Sequence, residues 1–312
     1  MRVLVTGGAG QVGSHVVEQL IARGDQVVVI DNLATGRAVH LDNAKGVDFR
    51  IESIAKRESL TNLWPNNAGP EVIVHTAASY SDGNAWEEDT ETNVLGTLNV
   101  IRLAREFGAR LIYFQTALCY GSAPKAQPVP LDYPRQPAPS SYAISKTAGE
   151  FYIEQSGIDF VTFRLANIVG PRNLSGPLPI FYKRLSDGIR CTIAEARRDF
   201  VDVRDLAKVV VQAVDGRGNG AYHFASGGDV AILDLYKEVA RSLGFEKLPE
   251  YDVPATTGGN PATILLDPAR TYQDFEMPKL SPISETVDAA MAYYREFGVT
   301  REVTHMKTLK SN

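Results

Sequence analysis

Tyr142 and Lys146 stand four residues apart in a segment, 140–146, that begins with two serines. Serine is a favoured helix-capping residue, so the spacing predicts a phenol and an ammonium on the same face of a helix that starts here. A phenol is a poor base at neutral pH, but a neighbouring ammonium and an oxidised nicotinamide both stabilise its phenolate form. We therefore predict that Tyr142 takes a proton from an alcohol, while Lys146 also binds the ribose of a nicotinamide. Because this spacing is common by chance, the prediction depends on a dinucleotide-binding motif elsewhere in the chain.

A glycine-rich segment near the start of the chain supplies that motif. Residues 7–13 read Gly-Gly-Ala-Gly-Gln-Val-Gly and follow an apolar run at 2–6. Glycines allow a tight turn and a close approach to a pyrophosphate, and the amides at the start of the following helix attract the anion. The next apolar run, 26–30, ends at Asp31, whose carboxylate would accept the ribose hydroxyls and repel a 2′-phosphate. The segment predicts NAD rather than NADP as the cofactor.

The order of apolar and helical patterns predicts the elements that position these residues. Apolar, β-rich runs recur, with segments of helical periodicity between them, at 2–6, 26–30, 47–51, 71–76, 110–115 and 159–166. Such alternation predicts an α/β fold with a Rossmann-type doubly wound parallel sheet. The spacing of apolar residues between 91 and 107 predicts one amphipathic helix that crosses over between two strands.

Beyond residue 170 the pattern becomes irregular, because Gly and Pro separate short helical pieces. These pieces lie at 178–187, 231–243 and 283–297, and a strand candidate at 220–224 would return to the main sheet. We therefore predict a smaller mixed α/β C-terminal lobe that binds the substrate. The predicted division assigns 1–170 and 203–229 to the NAD-binding domain, and 171–202 and 230–312 to the substrate lobe.

Six prolines punctuate residues 124–139, which predicts an extended and stiff loop. A surface linker is one interpretation of this composition. Because the loop leads from one strand end to the helix of Tyr142, we predict instead that it walls the active site.

Composition limits the classes of partner. The chain has 312 residues, 44% of them hydrophobic, and a net charge of −5, so there is no basic field to hold nucleic acid or an anionic membrane. The two cysteines, Cys119 and Cys191, and the lack of a membrane-spanning apolar stretch predict a cytoplasmic protein. The histidines show no metal-ligand spacing, and we interpret His75 as a packed strand residue.

Taken together, the motifs resemble the extended short-chain dehydrogenase/reductase family, in its nucleotide-sugar epimerase and dehydratase group. The resemblance covers about residues 1 to 300 and includes the glycine-rich opening, the segments 74–78, 92–97, 114–121 and 164–171, and the Tyr142/Lys146 pair. It implies NAD contacts from Gly7, Gly10, Gln11, Val12, Gly13, Asp31, Asn32, Thr35, Gly36, Ser53, Ile54, Thr76, Ala77, Ala78, Asn93, Tyr142 and Lys146.

The segment 115–121 decides the reaction class that the resemblance implies. Thr116 falls where the family carries its catalytic Ser or Thr, whose hydroxyl binds the reacting sugar oxygen and relays the proton to Tyr142. Family dehydratases carry Asp-Glu at the next two positions, and the UDP-glucuronate decarboxylases usually carry a Glu there. This chain has Ala117 and Leu118, which exchange no protons. Elimination is therefore disfavoured, and oxidation followed by reduction at C4 of the sugar is predicted.

The resemblance also implies where the UDP-sugar binds. The expected substrate contacts are Thr116, Ala117, Leu118, Tyr142, Asn167, Arg172, Leu178 and Arg198. Arg198 matches an arginine that grips the nucleotide phosphates, and the alternative is a surface ion pair with Asp199 or Asp202. Arg172 or the amides around Thr116 to Leu118 would bind a sugar carboxylate, although Arg172 could equally brace its loop. The family's arginine before its last motif has no clear counterpart in residues 257–261.

The likeness extends most closely to bacterial UDP-hexuronate 4-epimerase-like proteins, on the segments 115–121, 180–185 and 198–200. It implies conversion of UDP-glucuronate to UDP-galacturonate through a transient 4-keto sugar, in a homodimer paired through helices near 91–107 and 142–156. Epimerisation of UDP-glucose or of a UDP-N-acetylhexosamine is an alternative. An NAD-dependent nucleotide-sugar reductase or dehydrogenase is another. A catalytically inert NAD-binding protein is disfavoured by the intact set of Thr116, Tyr142 and Lys146.

Overall fold

Thirteen strands are found in the computed structural model, which describes residues 1–80, 83–254 and 263–300. In chain order they are β1 (Arg2–Thr6), β2 (Gln26–Asp31), β3 (Asp48–Ile51), β4 (Val72–His75), β5 (Arg110–Thr116), β6 (Phe160–Leu165), β7 (Asn167–Val169), β8 (Cys191–Thr192), β9 (Arg197–Arg198), β10 (Phe200–Asp202), β11 (Gly220–Phe224), β12 (Val230–Ala231) and β13 (Tyr251–Asp252). Seven of them form one parallel sheet in the order β11-β6-β5-β4-β1-β2-β3. The predicted Rossmann-type sheet is confirmed, and β11 returns to it as expected.

The helices of the described residues are α1 (Gln11–Ala22), α2 (Trp86–Asp89), α3 (Thr97–Phe107), α4 (Ser141–Gln155), α5 (Pro177–Ser186), α6 (Val203–Val214), α7 (Ile232–Leu243), α8 (Ala269–Asp274) and α9 (Ile283–Phe297). The pieces predicted at 178–187, 231–243 and 283–297 correspond to α5, α7 and α9. The single helix predicted at 91–107 is wrong in its first part, because Thr90–Gly96 forms a π-helical segment before α3 begins. The wider turn places Gly96 against Ile54, where a side chain at position 96 would collide.

The apolar residues form three cores. Two lie on the two faces of the main sheet, and the third lies among helices and short strands outside that sheet. On one face α1 and α6 pack on the strands through residues such as Val16, Leu20 and Val210. On the other face the strands meet α3 and α4, with Val100 and Ile153 fully buried. The third core joins α5, α7 and α9. The boundaries of the two lobes stay a prediction, which the separate third core supports.

The proline-rich segment takes a different place from the predicted one. None of residues 124–139 lines the cleft at the ends of the strands. Its main chain binds elsewhere: Ala138 N donates to Leu118 O, and Val129 N donates to Leu265 O. Its Arg135 forms ion pairs with Glu150 and Glu154 of α4. The segment therefore braces the turn after β5 from behind, and the expectation that it walls the site is corrected.

Two expected absences can be examined over the described ranges. There, no helix has the length and apolar character needed to cross a membrane. The same part of the chain holds no group of three or more His, Cys, Asp or Glu side chains that could bind a metal ion. The segment 257–261, which the sequence left without a nucleotide-binding arginine, lies outside the described residues.

His75 makes stability depend on pH. Its ring is fully buried in β4 between the hydroxyls of Thr6 and Thr97, at 2.7 and 3.0 Å, and burial together with Lys146 lowers its pKa to about 3. Below pH 6.5 the unfolded chain therefore binds a proton that the folded protein does not, so acid destabilises the fold.

We predict that the free energy of unfolding of His75→Asn falls less steeply with decreasing pH than that of the parent. The difference in slope between pH 6 and 4.5 should approach about 1.4 kcal/mol per pH unit. Urea unfolding at a series of pH values measures both slopes. Comparing slopes rather than stabilities removes the cost of the substitution itself, and equal slopes would contradict the assignment.

Candidate active site

A cleft of about 390 Å³ opens at the carboxyl ends of the central strands. Parallel strands all end at the same edge, and a crevice forms there because the chain leaves neighbouring strands towards opposite faces of the sheet. The segments after β1, β2 and β4 line one part of the cleft, and the end of β5 with the first turns of α4 lines another.

The glycine-rich loop after β1 lies very close to the loop after β4. Gly7 has φ +72°, and a Cβ placed on it would be 2.5 Å from the amide nitrogen of Ala77. A Cβ on Gly13 would collide with Gly7 O. The helix α1 then starts after Gly10, which provides no side-chain cap. The amides of its first turn are therefore left to bind an anion in the cleft.

Asp31 connects this loop to the end of β2. Its Oδ2 accepts from Ala9 N at 2.9 Å and its Oδ1 from Leu33 N at 2.8 Å, and burial raises its pKa. A carboxylate oxygen has two acceptor positions, so each retains one for a ribose hydroxyl. Gly36 lies behind it, where a Cβ would be 3.0 Å from Oδ2. The loops after β1 and β2 thus fit the adenosine and pyrophosphate portions of NAD.

Acidic side chains outnumber cations around the cleft. Asp31, Glu52, Glu88 and Glu91 line it, whereas Lys146 is the only cationic side chain among the described lining residues. The pyrophosphate of a bound NAD would therefore have to be neutralised by main-chain amides and the α1 dipole rather than by arginines.

Tyr142 and Lys146 both face the cleft from α4, as their spacing predicted. Ser140 caps the helix, and its hydroxyl accepts from Ala143 N at 3.2 Å. Burial raises the pKa of Tyr142, as do the neighbouring Tyr80 and Asp89. Burial also lowers the pKa of Lys146 to about 7, an effect that Glu150 opposes. In the protein alone these environments do not favour a phenolate, so its formation depends on positive charge brought by an oxidised nicotinamide.

Thr116 ends β5 beside this pair, with its side chain lining the cleft. Its Oγ1 accepts from Leu118 N at 3.2 Å. Because an amide N–H only donates, the hydroxyl retains its own proton and one lone pair for another partner. Ala117 and Leu118 turn away in a short 3₁₀ turn and do not line the cleft.

The structure brings together most of the predicted cofactor contacts. The cleft is lined by Gly7, Gly10, Gln11, Val12, Gly13, Asp31, Asn32, Thr35, Ser53, Ile54, Thr76, Ala77, Ala78, Tyr142 and Lys146. Asn93 does not line it and is fully buried. Its side chain binds both main-chain polar groups of Ser79 and the hydroxyl of Ser145. The predicted contact of Asn93 with NAD is therefore replaced by a role in holding the loop after β4 against α4.

The predicted substrate contacts outside α4 and β5 are dispersed. The Arg172 side chain forms an ion pair with Glu18 of α1 and does not line the cleft, which favours the bracing alternative. The Leu178 side chain is fully buried in the third core, so only its main chain, at the start of α5, could contact a ligand. The predicted substrate contact of Leu178 therefore stays a prediction for its main chain.

Asn167 and Arg198 lie close together on the side of the second lobe. Asn167 Nδ2 donates to Asp199 O at 2.9 Å, and Arg198 Nη1 donates to Arg197 O at 2.7 Å. The ion pair proposed as an alternative for Arg198 is not formed, because Asp199 binds Ser226 and Asp202 binds Arg204. Burial lowers the pKa of Arg198. The guanidinium thus carries a charge that no carboxylate of the described residues balances.

Sequence reasoning missed several lining residues. They are Glu52, Ser79, Glu88, Glu91, Thr92, Gln115, Asn173 and Ser175. Ser79, Gln115 and Glu52 lie at or just after the carboxyl end of a strand, so the rule that ligands bind at this edge could have found them. Glu88, Glu91 and Thr92 reach the cleft only because the chain folds back after β4, which no local pattern indicates.

Comparisons with known proteins agree with this geometry. Residues 3–224 match the Epimerase family, described as the NAD dependent epimerase/dehydratase family. The chain is 33% identical over 273 residues to a UDP-glucose 4-epimerase of Mycolicibacterium smegmatis, covering 81% of this chain and 86% of that protein. It is 54% identical to the Bordetella bronchiseptica enzyme WbmH, solved in complex with NAD⁺, with TM-score 0.92 and 96% and 99% of the two chains covered. The B. bronchiseptica enzyme WbmG, solved with NAD and UDP, matches at 36% identity and TM-score 0.85 over 97% and 96%.

Gly7 offers a direct test of the dinucleotide cradle. We predict that Gly7→Ala loses most of its bound NAD, because the new Cβ would displace the loop after β4. Gly24→Ala is the matched control: its φ of +89° carries similar backbone strain, but no atom lies within 4 Å of its Cβ. Absorbance of cofactor released from equal amounts of each purified variant measures the effect. If both variants retain the same NAD, the close approach at Gly7 does not shape the site.

Proposed function

The chain belongs to the NAD dependent epimerase/dehydratase family, with NAD as its cofactor, and on that premise we propose that it inverts C4 of a UDP-sugar. The observation that carries the proposal is the convergence of Thr116, Tyr142 and Lys146 on one cleft beside a dinucleotide cradle. Bound NAD supplies a reversible hydride acceptor, so the sugar passes through a 4-keto form and regains its hydrogen on the opposite face.

The protein's own residues handle the proton. In the oxidation, Thr116 takes the proton of the sugar 4-hydroxyl on its remaining lone pair as it gives its own proton to the Tyr142 phenolate. In the reduction the protons move back, from Tyr142 to Thr116 and from Thr116 to the carbonyl oxygen. Lys146, held above the Tyr113 ring at 3.9 Å, lies one turn from Tyr142 and favours the phenolate when it is charged. No acid stands at positions 117 and 118, so elimination and decarboxylation receive no proton transfer there.

For the substrate we propose UDP-glucuronate and UDP-galacturonate. The 4-keto form of a hexuronate is a β-keto acid that loses CO₂ readily, and a position 118 without an acid is compatible with retention of the carboxylate. Because Glu18 engages Arg172, the proposal does not use Arg172 to bind that carboxylate. Arg198, without a charge partner in the described ranges, is proposed to bind the diphosphate.

A neutral UDP-hexose is the second candidate, and specific observations favour it. Glu88 and Glu91 line the cleft, and such carboxylates bind sugar hydroxyls but repel a hexuronate. The M. smegmatis relative is named a UDP-glucose 4-epimerase.

We also propose a homodimer that pairs through α3 and α4. Ile144, Phe151 and Tyr152 of α4 are 54%, 44% and 48% exposed. Large apolar side chains clustered on one helix support an intermolecular contact of this kind.

Proton NMR of the purified protein with UDP-glucuronate, and no added NAD, tests the function. We expect the anomeric and H4 signals of UDP-galacturonate to grow to equilibrium. Conversion of UDP-glucose or a UDP-N-acetylhexosamine instead would move the assignment to the second candidate. A product that accumulates only with added nicotinamide cofactor would identify a reductase or dehydrogenase.

The same assay tests Tyr142. We predict that Tyr142→Phe lowers turnover about 10³-fold with little change in substrate affinity, because it removes the acid–base hydroxyl alone. Tyr152→Phe, on the same helix but 48% exposed, is the matched control and should turn over normally. Near-normal turnover by Tyr142→Phe would refute its role.

A further inference from the structure

Behind the end of β5 lies a fully buried carboxylate, Glu150, one turn beyond Lys146 on α4. Its Oε1 is 2.9 Å from Arg164 Nε, and its Oε2 is 3.1 Å from Arg135 Nη1. A buried charge is costly unless it is paired and hydrogen-bonded, and here two guanidinium groups from different elements flank it. Glu150 itself does not line the cleft.

Gln115 connects this carboxylate to Thr116. Its side chain is 1% exposed, its Nε2 donates to Glu150 Oε2 at 3.1 Å, and its Oε1 accepts from Thr116 N at 2.8 Å. An amide side chain has one donor end and one acceptor end, whereas a carboxylate between two guanidinium groups only accepts. Glu150 therefore obliges Gln115 to present its NH₂ to the carboxylate and its oxygen to the Thr116 amide.

The bond to Gln115 fixes the last residue of the strand. Thr116 is still extended, at φ −95° and ψ 150°, and is paired with Leu165 of β6, and the 3₁₀ turn begins at the next residue. The Gln115 side chain thus holds the Thr116 main chain through its N–H, and Leu118 N holds the Thr116 side chain through Oγ1.

We propose that Glu150 is a positioning residue for the reaction, which acts by setting the orientation of the Gln115 amide and thereby holding Thr116 towards the reacting sugar. The inference rests on the proposed function, since it takes Thr116 as the partner of the sugar 4-hydroxyl. In this proposal a polar chain of ion pairs and hydrogen bonds runs from Arg164 and Arg135 through Glu150 and Gln115 to Thr116.

Glu150→Gln tests this polar chain, because it keeps the size of the side chain and replaces one of its two acceptor oxygens by a donor NH₂ group. The new amide has one oxygen, and we expect it to accept from Arg164 Nε, because Arg135 keeps both oxygens of Glu154. The NH₂ then occupies the position of Oε2 and faces Gln115, which rotates and opposes its own NH₂ to the Thr116 N–H. We predict a fall in kcat of about 10- to 100-fold with KM nearly unchanged, the scale expected for misplacement of a reacting group. Glu154→Gln is the matched control: Glu154 also binds Arg135, at 2.8 Å, but does not bind Gln115, so its kcat should stay at the parent's value.

The reciprocal double variant Gln115→Glu/Glu150→Gln separates positioning from simple damage. The carboxylate at position 115 accepts from the Thr116 amide and from the amide at position 150, whose oxygen accepts from Arg164. Every hydrogen bond from Arg164 to Thr116 regains its polarity, Arg135 keeps its two bonds to Glu154, and the net charge is unchanged, so kcat should recover. A double variant as slow as Glu150→Gln would overturn the proposal. So would a loss in Glu150→Gln that disappears below pH 7, because it would assign the effect to the protonation of Lys146.

Hydrogen exchange of the peptide containing residues 115–118 gives a second measurement that needs no turnover. In the NAD-loaded protein we expect faster exchange in Glu150→Gln, parent-like exchange in Glu154→Gln, and restored protection in the double variant. Unchanged exchange in Glu150→Gln contradicts the positioning role. If the parent converts no UDP-sugar while exchange follows this order, the proposed function fails and the polar chain stands.

Discussion

Tyr142, Lys146 and Glu150 follow one another at one-turn intervals on α4. The site depends on how the charges of these ionisable groups are stabilised away from water. Lys146 and Glu150 are 3% and 0% exposed. Burial opposes the charge of Lys146, and the surroundings compensate through the Tyr113 ring and the Glu150 carboxylate, which is in turn balanced by Arg164 and Arg135. The groups that stabilise these charges on α4 therefore come from β5, β6 and the proline-rich segment.

The cofactor loop is also tied to the second lobe. His40 Nδ1 lies 2.7 Å from Ala9 O and its Nε2 lies 2.6 Å from the Tyr293 hydroxyl on α9. A carbonyl only accepts, so the neutral ring donates from Nδ1 and accepts from Tyr293 at Nε2. On the same helix, Tyr294 donates to the main-chain oxygen of Asn173, which lines the cleft, at 2.6 Å. The helix α9 therefore contacts both the glycine-rich loop, through His40, and the lining of the cleft.

The sequence predicted the seven strands of the main sheet to within two residues, because buried parallel strands are short apolar runs bounded by turns, and each ends near a polar or glycine residue. It predicted Tyr142 and Lys146 because a helix period relates them. It did not predict that Arg172 binds Glu18, nor that Gln115 joins Glu150 to Thr116, because such contacts join residues far apart in the chain. The π-helical turn at Thr90–Gly96 and the corrected place of the proline-rich segment likewise depend on packing that no local pattern records.

The central claim is that the hydrogen on C4 leaves and returns within one cleft. It is tested most directly by incubating the purified protein, without added cofactor, with UDP-glucuronate carrying deuterium at C4, and by measuring the label in the epimerised product by mass spectrometry and NMR. The account predicts that deuterium remains at C4 with inverted configuration. Replacement of the deuterium by solvent hydrogen would contradict it, because epimerisation would then proceed by proton exchange rather than by transfer to and from bound NAD.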